Sequence, residues 1–141
     1  MSNDILAIKA AVKSVLADSS LAQVSKWLSA EPSPSAYPSL CFGWVEWSGG
    51  PMVQANFDRK KAVDEFFIVI ITKNADADQA ESDGLSLAEK AEALFSADRK
   101  LGGAVTDSLV TLREKQKVFD GKFSVNAVRL TLQTWRWLST N

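Results

Sequence analysis

Residues 65–72 read Glu65-Phe66-Phe67-Ile68-Val69-Ile70-Ile71-Thr72, and this stretch decides the fold class. Its apolar residues are all β-branched or aromatic, which favours a strand over a helix, and the run is too short to span a membrane. Alternate side chains of a strand point to opposite faces of the sheet. The predicted faces are Phe66, Ile68 and Ile70 on one side, and Phe67, Val69 and Ile71 on the other. Both faces therefore need cover, one from helices and the other from a second layer or a neighbouring subunit.

Length and composition indicate one domain over residues 1–141, with a single core. The 16 Lys and Arg nearly balance the 17 Asp and Glu, and the net charge of −1 provides no general attraction for nucleic acid or an anionic membrane. Histidine is absent and Cys41 is the single cysteine, which excludes the usual zinc spacings and an internal disulfide. We expect no metal, no cofactor, no signal segment and no membrane anchor, and we expect Cys41 to be a buried, inert thiol in a reducing compartment.

The chain before the apolar strand predicts one helix and two strands. Apolar residues at helical spacing indicate a helix over residues 4–17, and residues 21–28 are irregular or a short extended piece. Three prolines make residues 31–39 a stiff connector. Strands are predicted at 40–47 and 52–57, separated by a turn at Ser48-Gly49-Gly50-Pro51, with the basic residues 59–61 in a solvated loop.

The chain after the apolar strand predicts a loop, a helix and a closing set of strands. Residues 74–84 are acidic and polar enough for a mobile loop, and Ser86 with Glu89 forms a capping box for a helix over 86–97 that ends at Leu101-Gly102-Gly103. Strands follow at 105–113, 115–119 and 123–137, the last two joined by a hairpin turn at Asp120-Gly121. A change of phase near Ala127 indicates a bulge or a sheet covered on both sides. The predicted fold is α+β, with a mixed or antiparallel sheet of about four to six strands and two main helices on one face.

Catalytic patterns are largely missing from the sequence. There is no glycine-rich phosphate loop, no nucleophile elbow and no histidine to activate a hydroxyl. The remaining enzyme hypothesis is a small carboxylate-dependent hydrolase that uses Glu46, Asp58 or Glu65. We interpret the chain as a non-enzyme that acts through its surfaces.

The order of these elements resembles the tail terminator (tail completion) proteins of long-tailed bacteriophages. The matching landmarks are Tyr37-Pro38 before the strand at 40–45, the strand at 66–71, the helix at 86–97 followed by Lys100-Leu101-Gly102-Gly103, and the closing strand at 123–135. The resemblance covers most of the chain.

The resemblance implies a virion protein of the junction between tail and head, assembled in the host cytoplasm. Such subunits form a hexameric ring that caps the tail tube, ends its polymerisation and joins the head–tail connector, while DNA passes through the hole as cargo. The implied partners are further copies of the chain, the tail tube protein and a neck protein, with no membrane. A rival from the same particle is another neck, connector or tail-tube ring protein.

Two sets of residues are predicted to make the contacts of this ring. The residues predicted to face the tube or the connector are Gly49, Gly50, Arg59, Lys60, Lys61, Asp76, Asp78 and Glu81. The residues predicted to lie between subunits are Phe66, Ile68, Ile70, Trp135 and Trp137. The reasons are the polar loops for the first set, and apolar or tryptophan side chains for the second.

Overall fold

A computed structural model describes residues 4–33, 37, 40–56, 59–116 and 124–138. Two helices and a five-stranded sheet form an α+β fold, which confirms the predicted class. The helices are α1 (Asp4–Leu16) and α2 (Ala77–Ala97), with short 3-10 turns at Ser19–Leu21 and Leu101–Gly103. The strands are β1 (Trp27–Leu28), β2 (Cys41–Asn56), β3 (Arg59–Asn74), β4 (Asp107–Gln116) and β5 (Ser124–Leu138).

The strand predicted from residues 65–72 is the centre of the sheet. The strand order is β1-β2-β3-β5-β4, so β3 has a long strand on each side. β1 runs parallel to β2, and the other pairs are antiparallel. The ladder between β3 and β5 keeps one register from Lys60 opposite Leu138 to Asn74 opposite Ser124. Such an unbroken ladder fixes which side chains of both strands share a face.

One face of the sheet forms the main core with the helices. Phe66, Ile68 and Ile70 are fully buried there, together with Ile8, Val12 and Leu16 of α1 and Leu87, Ala91 and Phe95 of α2. The predicted division of the strand into two faces is therefore confirmed. The prediction that Phe66, Ile68 and Ile70 lie between subunits is wrong, because the helices of the same chain already cover these side chains.

A second, smaller cluster covers part of the opposite face. It contains Phe42, Trp44, Val69, Ile71 and Ala127, with Leu28, Tyr37 and Val125 packed against it. Of the two expected covers, a second layer or a neighbouring subunit, this part of β3 does not require the subunit, because residues of the same chain pack on it. The change of phase near Ala127 reflects cover on both faces, since β5 has no bulge against β3.

The predicted turn at residues 48–51 is a bulge within one long strand. β2 continues from Cys41 to Asn56, with register shifts between Trp47 and Gly49 and between Gly49 and Met52. Gly50 has a φ of 120°, and a Cβ there would lie 2.8 Å from the carbonyl oxygen of Val63. Glycine thus allows the extra residues to bulge against β3 without breaking the pairing. The predicted strands at 40–47 and 52–57 are one strand, and the basic residues 59–61, predicted to form a solvated loop, are the start of β3.

The second helix begins nine residues earlier than the capping box predicts. Asp76 is its N-cap, and the Asp76 carboxylate accepts hydrogen bonds from the backbone N–H groups of Asp78 and Gln79. The acidic residues that predicted a mobile loop at 74–84 are therefore the cap and first turns of α2, where carboxylates favour the positive end of the helix dipole. The helix ends at Ala97 with Asp98 as its C-cap, so the predicted end at Leu101-Gly102-Gly103 is a separate 3-10 turn, in which Gly102 adopts a positive φ and Leu101 is buried in the core.

Strand β4 runs from Asp107 to Gln116, so it continues past the predicted end at Arg113 into the start of the strand predicted at 115–119. Residues 117–119 of that predicted strand lie outside the described residues. A register shift between Val110 and Leu112 places both Leu109 and Leu112 opposite residues of β5 that face away from the helices. The predicted turn at Asp120-Gly121 lies outside the described residues.

Gly43 is required by close packing in the middle of β2. A Cβ at this position would lie 2.4 Å from the Trp27 ring and 2.6 Å from the Val69 carbonyl oxygen. At Gly49, in the same strand, nothing lies within 4 Å of the added carbon.

We predict opposite effects of the same substitution at these two glycines. Gly43→Ala should lower the free energy of unfolding by about 1–3 kcal/mol, because the methyl group overpacks against backbone and a ring. Gly49→Ala should be neutral or stabilising by up to about 1 kcal/mol, because alanine loses less conformational freedom on folding. Urea denaturation of both variants checks this, and equal midpoints would contradict the packing described here.

Candidate functional site

The sheet has two open edges in the part of the chain that the structure describes. β1 pairs with β2 only at Gly43 and Trp44, so the outer edge of β2 continues beyond β1 toward Asn56. β4 pairs with β5 on one side and ends the strand order on the other. Open edges present unpaired backbone N–H and C=O groups, which are ready to pair with another chain.

Exposed apolar side chains lie along both edges. Leu109 and Leu112 of β4 are 56% and 49% exposed, and Met52 and Val53 of β2 are 64% and 51% exposed. Met52 pairs with Val63, and strand alternation places Val63 on the face of β3 that points away from the helices. Met52 therefore lies on the same face as the two leucines. The sequence did not reveal the pair of leucines, because the bulge in β4 brings residues of opposite parity onto one face.

The residues predicted to face the tube or connector lie at both ends of the sheet and in its middle. Lys60 and Lys61 lie at the end where Arg59 begins β3, whereas Gly49 and Gly50 lie in the middle part of β2, with Gly49 opposite Glu65. Asp76, Asp78 and Glu81 cap and begin α2, which follows the opposite end of β3. The prediction that these residues occupy loops is wrong for all of them except Asp76, which precedes the helix. Strand geometry separates the two ends by about 45 Å.

The tryptophans predicted for the subunit interface sit together near the Lys60 end of the sheet. The rings of Trp135 and Trp137 meet edge to face with centroids 5.1 Å apart. The Lys61 ammonium lies 4.4 Å from the centroid of the Trp135 ring, and Trp137 is 45% exposed. Tryptophan is enriched at the centres of protein interfaces, so this partly exposed pair is a candidate contact surface.

Cations on the face away from the helices are held by aromatic rings or a carboxylate. The Arg129 guanidinium lies 4.3 Å from the centroid of the Phe67 ring and forms a short ion pair with Glu114. Lys73 lies 5.3 Å from the centroid of the Tyr37 ring. These contacts partly satisfy the positive charges within the chain, which lowers the attraction of this face for a polyanion.

The carboxylates of the hydrolase hypothesis have local partners. Glu46 accepts a hydrogen bond from the Trp44 indole N–H at 3.1 Å, and Glu65 accepts one from the Ser48 hydroxyl at 3.0 Å. Asp58 lies outside the described residues. Among the described residues no group of three or more His, Cys, Asp or Glu side chains is arranged to hold a metal ion. The described helices include none with the length and hydropathy needed to cross a membrane.

Cys41 has an environment that suppresses thiol chemistry. Burial, with a smaller contribution from the negative charge of Asp83, raises the pKa of the Cys41 thiol to about 11. The thiol is partly buried and packs against the main core. Because the thiolate is the reactive form, these features agree with the predicted inert cysteine.

Comparison with known proteins finds a likeness in fold. No family model matches the sequence, and no curated protein matches it. Among solved structures, the chain is similar to a chain of a structure described as the virion of a native gene transfer agent (GTA) particle, with a TM-score of 0.55 and 16% sequence identity. The similarity covers 93% of this chain and 95% of that chain, so the shared fold extends over nearly the whole of both.

We predict that Cys41 reacts slowly with thiol reagents in the folded protein. At pH 8 its thiolate fraction should be roughly two orders of magnitude below that of an unfolded chain, given an ordinary cysteine pKa of about 8.5. Reaction with Ellman's reagent should accelerate on unfolding in urea, and in the folded protein it should accelerate as the pH rises toward 11. Equal rates in folded and unfolded protein would contradict the assigned environment.

Proposed function

We propose that this protein is a structural, non-enzymatic subunit of a phage-like virion. In this proposal six copies form a ring on the end of the tail tube, end its polymerisation and provide the surface that joins the head–tail connector. DNA passes through the ring as cargo. The observation that carries the proposal is the likeness in fold to a chain of a virion particle, over nearly the full length of both chains.

The two edges of the sheet support a ring of identical subunits. A contact between two different surfaces of neighbouring copies generates a closed ring when repeating the same rotation returns to the first copy. β2 and β4 carry the open edges on opposite sides of the sheet, and the chain of antiparallel pairs makes these two strands antiparallel to each other. The edge of β4 in one copy can therefore pair antiparallel with the edge of β2 in the next, which brings Leu109 of one copy near Met52 of the other.

The two ends of the sheet support contacts with two different partners. If the strands run roughly along the ring axis, the end with Lys60 and Lys61 faces one neighbour and the start of α2 faces the other. The first end carries cations and the tryptophan pair, whereas the second carries Asp76, Asp78 and Glu81. We propose that one end contacts the tail tube and the other the connector, with the pair Trp135 and Trp137 at a subunit contact.

The charge of the chain supports a channel through which DNA passes without binding tightly. The net charge is −1, and Arg129 is paired with Glu114 on the face away from the helices. Tight nonspecific DNA binding requires several lysines or arginines that neutralise phosphates. The proposed ring would therefore conduct DNA with little retention.

We predict that the purified protein stops the growth of tail tubes. Added to tubes assembling from the tube protein of the same particle, it should shorten the length distribution in electron micrographs and appear as a ring at one end. Tubes that lengthen by incorporating the protein would identify a tube subunit instead, and a ring that binds only the connector would identify another neck protein. A measurable hydrolysis lost in Glu46→Gln or Glu65→Gln would favour the enzyme hypothesis.

We predict that a charge on the β4 edge prevents ring formation. Leu109→Lys should raise the protein concentration needed for half assembly at least tenfold, because a desolvated ammonium opposite Gly49 of the next copy is costly. Leu6→Lys is the matched control, since Leu6 lies on α1 and is 73% exposed. Native mass spectrometry measures the half-assembly concentration of both variants, and equal values would contradict a contact at this edge.

A further inference from the structure

One row of side chains crosses the sheet on the helix side and ends at both open edges. Trp47 pairs with Phe66, Phe66 pairs with Leu132, and Leu132 pairs with Val110. Directly paired residues of antiparallel strands share a face, and Phe66 and Leu132 belong to the core beneath the helices. Trp47 and Val110 are therefore the two ends of the same row, one on β2 and the other on β4.

Trp47 lies beyond the part of β2 that β1 covers. β1 pairs only with Gly43 and Trp44, and the Trp47 side chain is 44% exposed although it belongs to the helix side of the sheet. Trp44, three residues earlier and on the other face, is 1% exposed. A large aromatic side chain at an open edge is typical of a residue that another molecule covers.

The other end of the row opens into a groove between α2 and β4. Its volume is about 120 Å³, and its lining residues are Phe95, Ser96, Arg99, Ser108, Leu109 and Val110. Phe95 and Val110 give the groove an apolar floor, since both pack in or against the main core.

A fixed guanidinium borders this groove. Arg99 Nε and Nη2 donate hydrogen bonds to the two carboxylate oxygens of Asp107 at 2.8 and 2.7 Å. This hydrogen bonding is the main cause that lowers the pKa of Asp107. The Arg99 side chain is 51% exposed, and two-point fixing leaves a planar, oriented cation against which an indole can stack.

We propose that Trp47 of one copy inserts into the groove between α2 and β4 of the next copy. The inference rests on the proposed ring and names one of its contacts. In a ring whose strands run along the axis, rotation keeps each row at the same height, so Trp47 of one copy meets Val110 of its neighbour when their edges pair. The indole then packs between Phe95 and Val110, with the Arg99 guanidinium at its side.

A cysteine cross-link tests the position of this contact. Trp47→Cys and Val110→Cys are placed on separate chains in a Cys41→Ala background and mixed under oxidising conditions. Facing residues of paired strands have Cα atoms within disulfide range, so we expect a disulfide-linked dimer in the mixture. The control pairs Leu6→Cys with Val110→Cys and should give no such product. Failure of the first pair to link in assembled rings would overturn the proposed contact.

Substitution of Trp47 tests its energetic role. Trp47→Ala should raise the half-assembly concentration at least tenfold, whereas Trp47→Phe, which keeps an aromatic ring, should raise it less. Leu6→Ala should leave it unchanged. If Trp47→Ala assembles like the wild type, the contact is wrong while the ring proposal stands. If the wild-type protein itself forms no ring alone or on tail tubes, both proposals fail.

Discussion

The continuous ladder between β3 and β5 is the constraint on which the rest of the structure depends. Its single register runs from Lys60 to Asn74 and assigns every second residue of both strands to the helix side. Phe66, Ile68 and Ile70 then meet Leu132, Leu130 and Val128 beneath the two helices. A shift of β5 by one residue would turn Leu132, Leu130 and Val128 away from the helices and bury Arg129 and Gln133 in their place. The burial pattern of the two central strands therefore follows from their register.

The sequence predicts the middle of this architecture well because the signals there are strong and local. Consecutive β-branched and aromatic residues identify the central strand, and helical spacing identifies α1. The wrong predictions lie where pairing between strands, or a helix cap, overrides the local sequence signals for a turn or a loop. Gly49, Gly50 and Pro51 look like a turn, but pairing with β3 continues around them as bulges. The acidic residues 76–83 look like a loop, but Asp76 caps a helix whose small residues allow it to pack on the sheet.

The candidate surfaces were less predictable than the fold. Apolar character alone suggested Phe66, Ile68 and Ile70 as interface residues, yet the same character places them in the chain's own core. The surface left for a partner depends on which edges of the sheet lack a neighbouring strand. The edge of β2 is open because β1 is only two residues long. The bulge in β4 brings Leu109 and Leu112 together, and no periodic pattern in the sequence indicates it. The open edges of the sheet are the contacts of the proposed ring, and its two ends are the proposed contacts with the tube and the connector.

Hydrogen exchange at the open sheet edges tests this account most directly. Amide exchange of β4, Asp107–Gln116, and of the outer part of β2 is measured by mass spectrometry at concentrations below and above ring assembly. We predict that assembly slows exchange in both segments, because their unpaired N–H groups enter a ladder between copies. Slowed exchange confined to the helices, with both edges exchanging as they do in the monomer, would contradict the account.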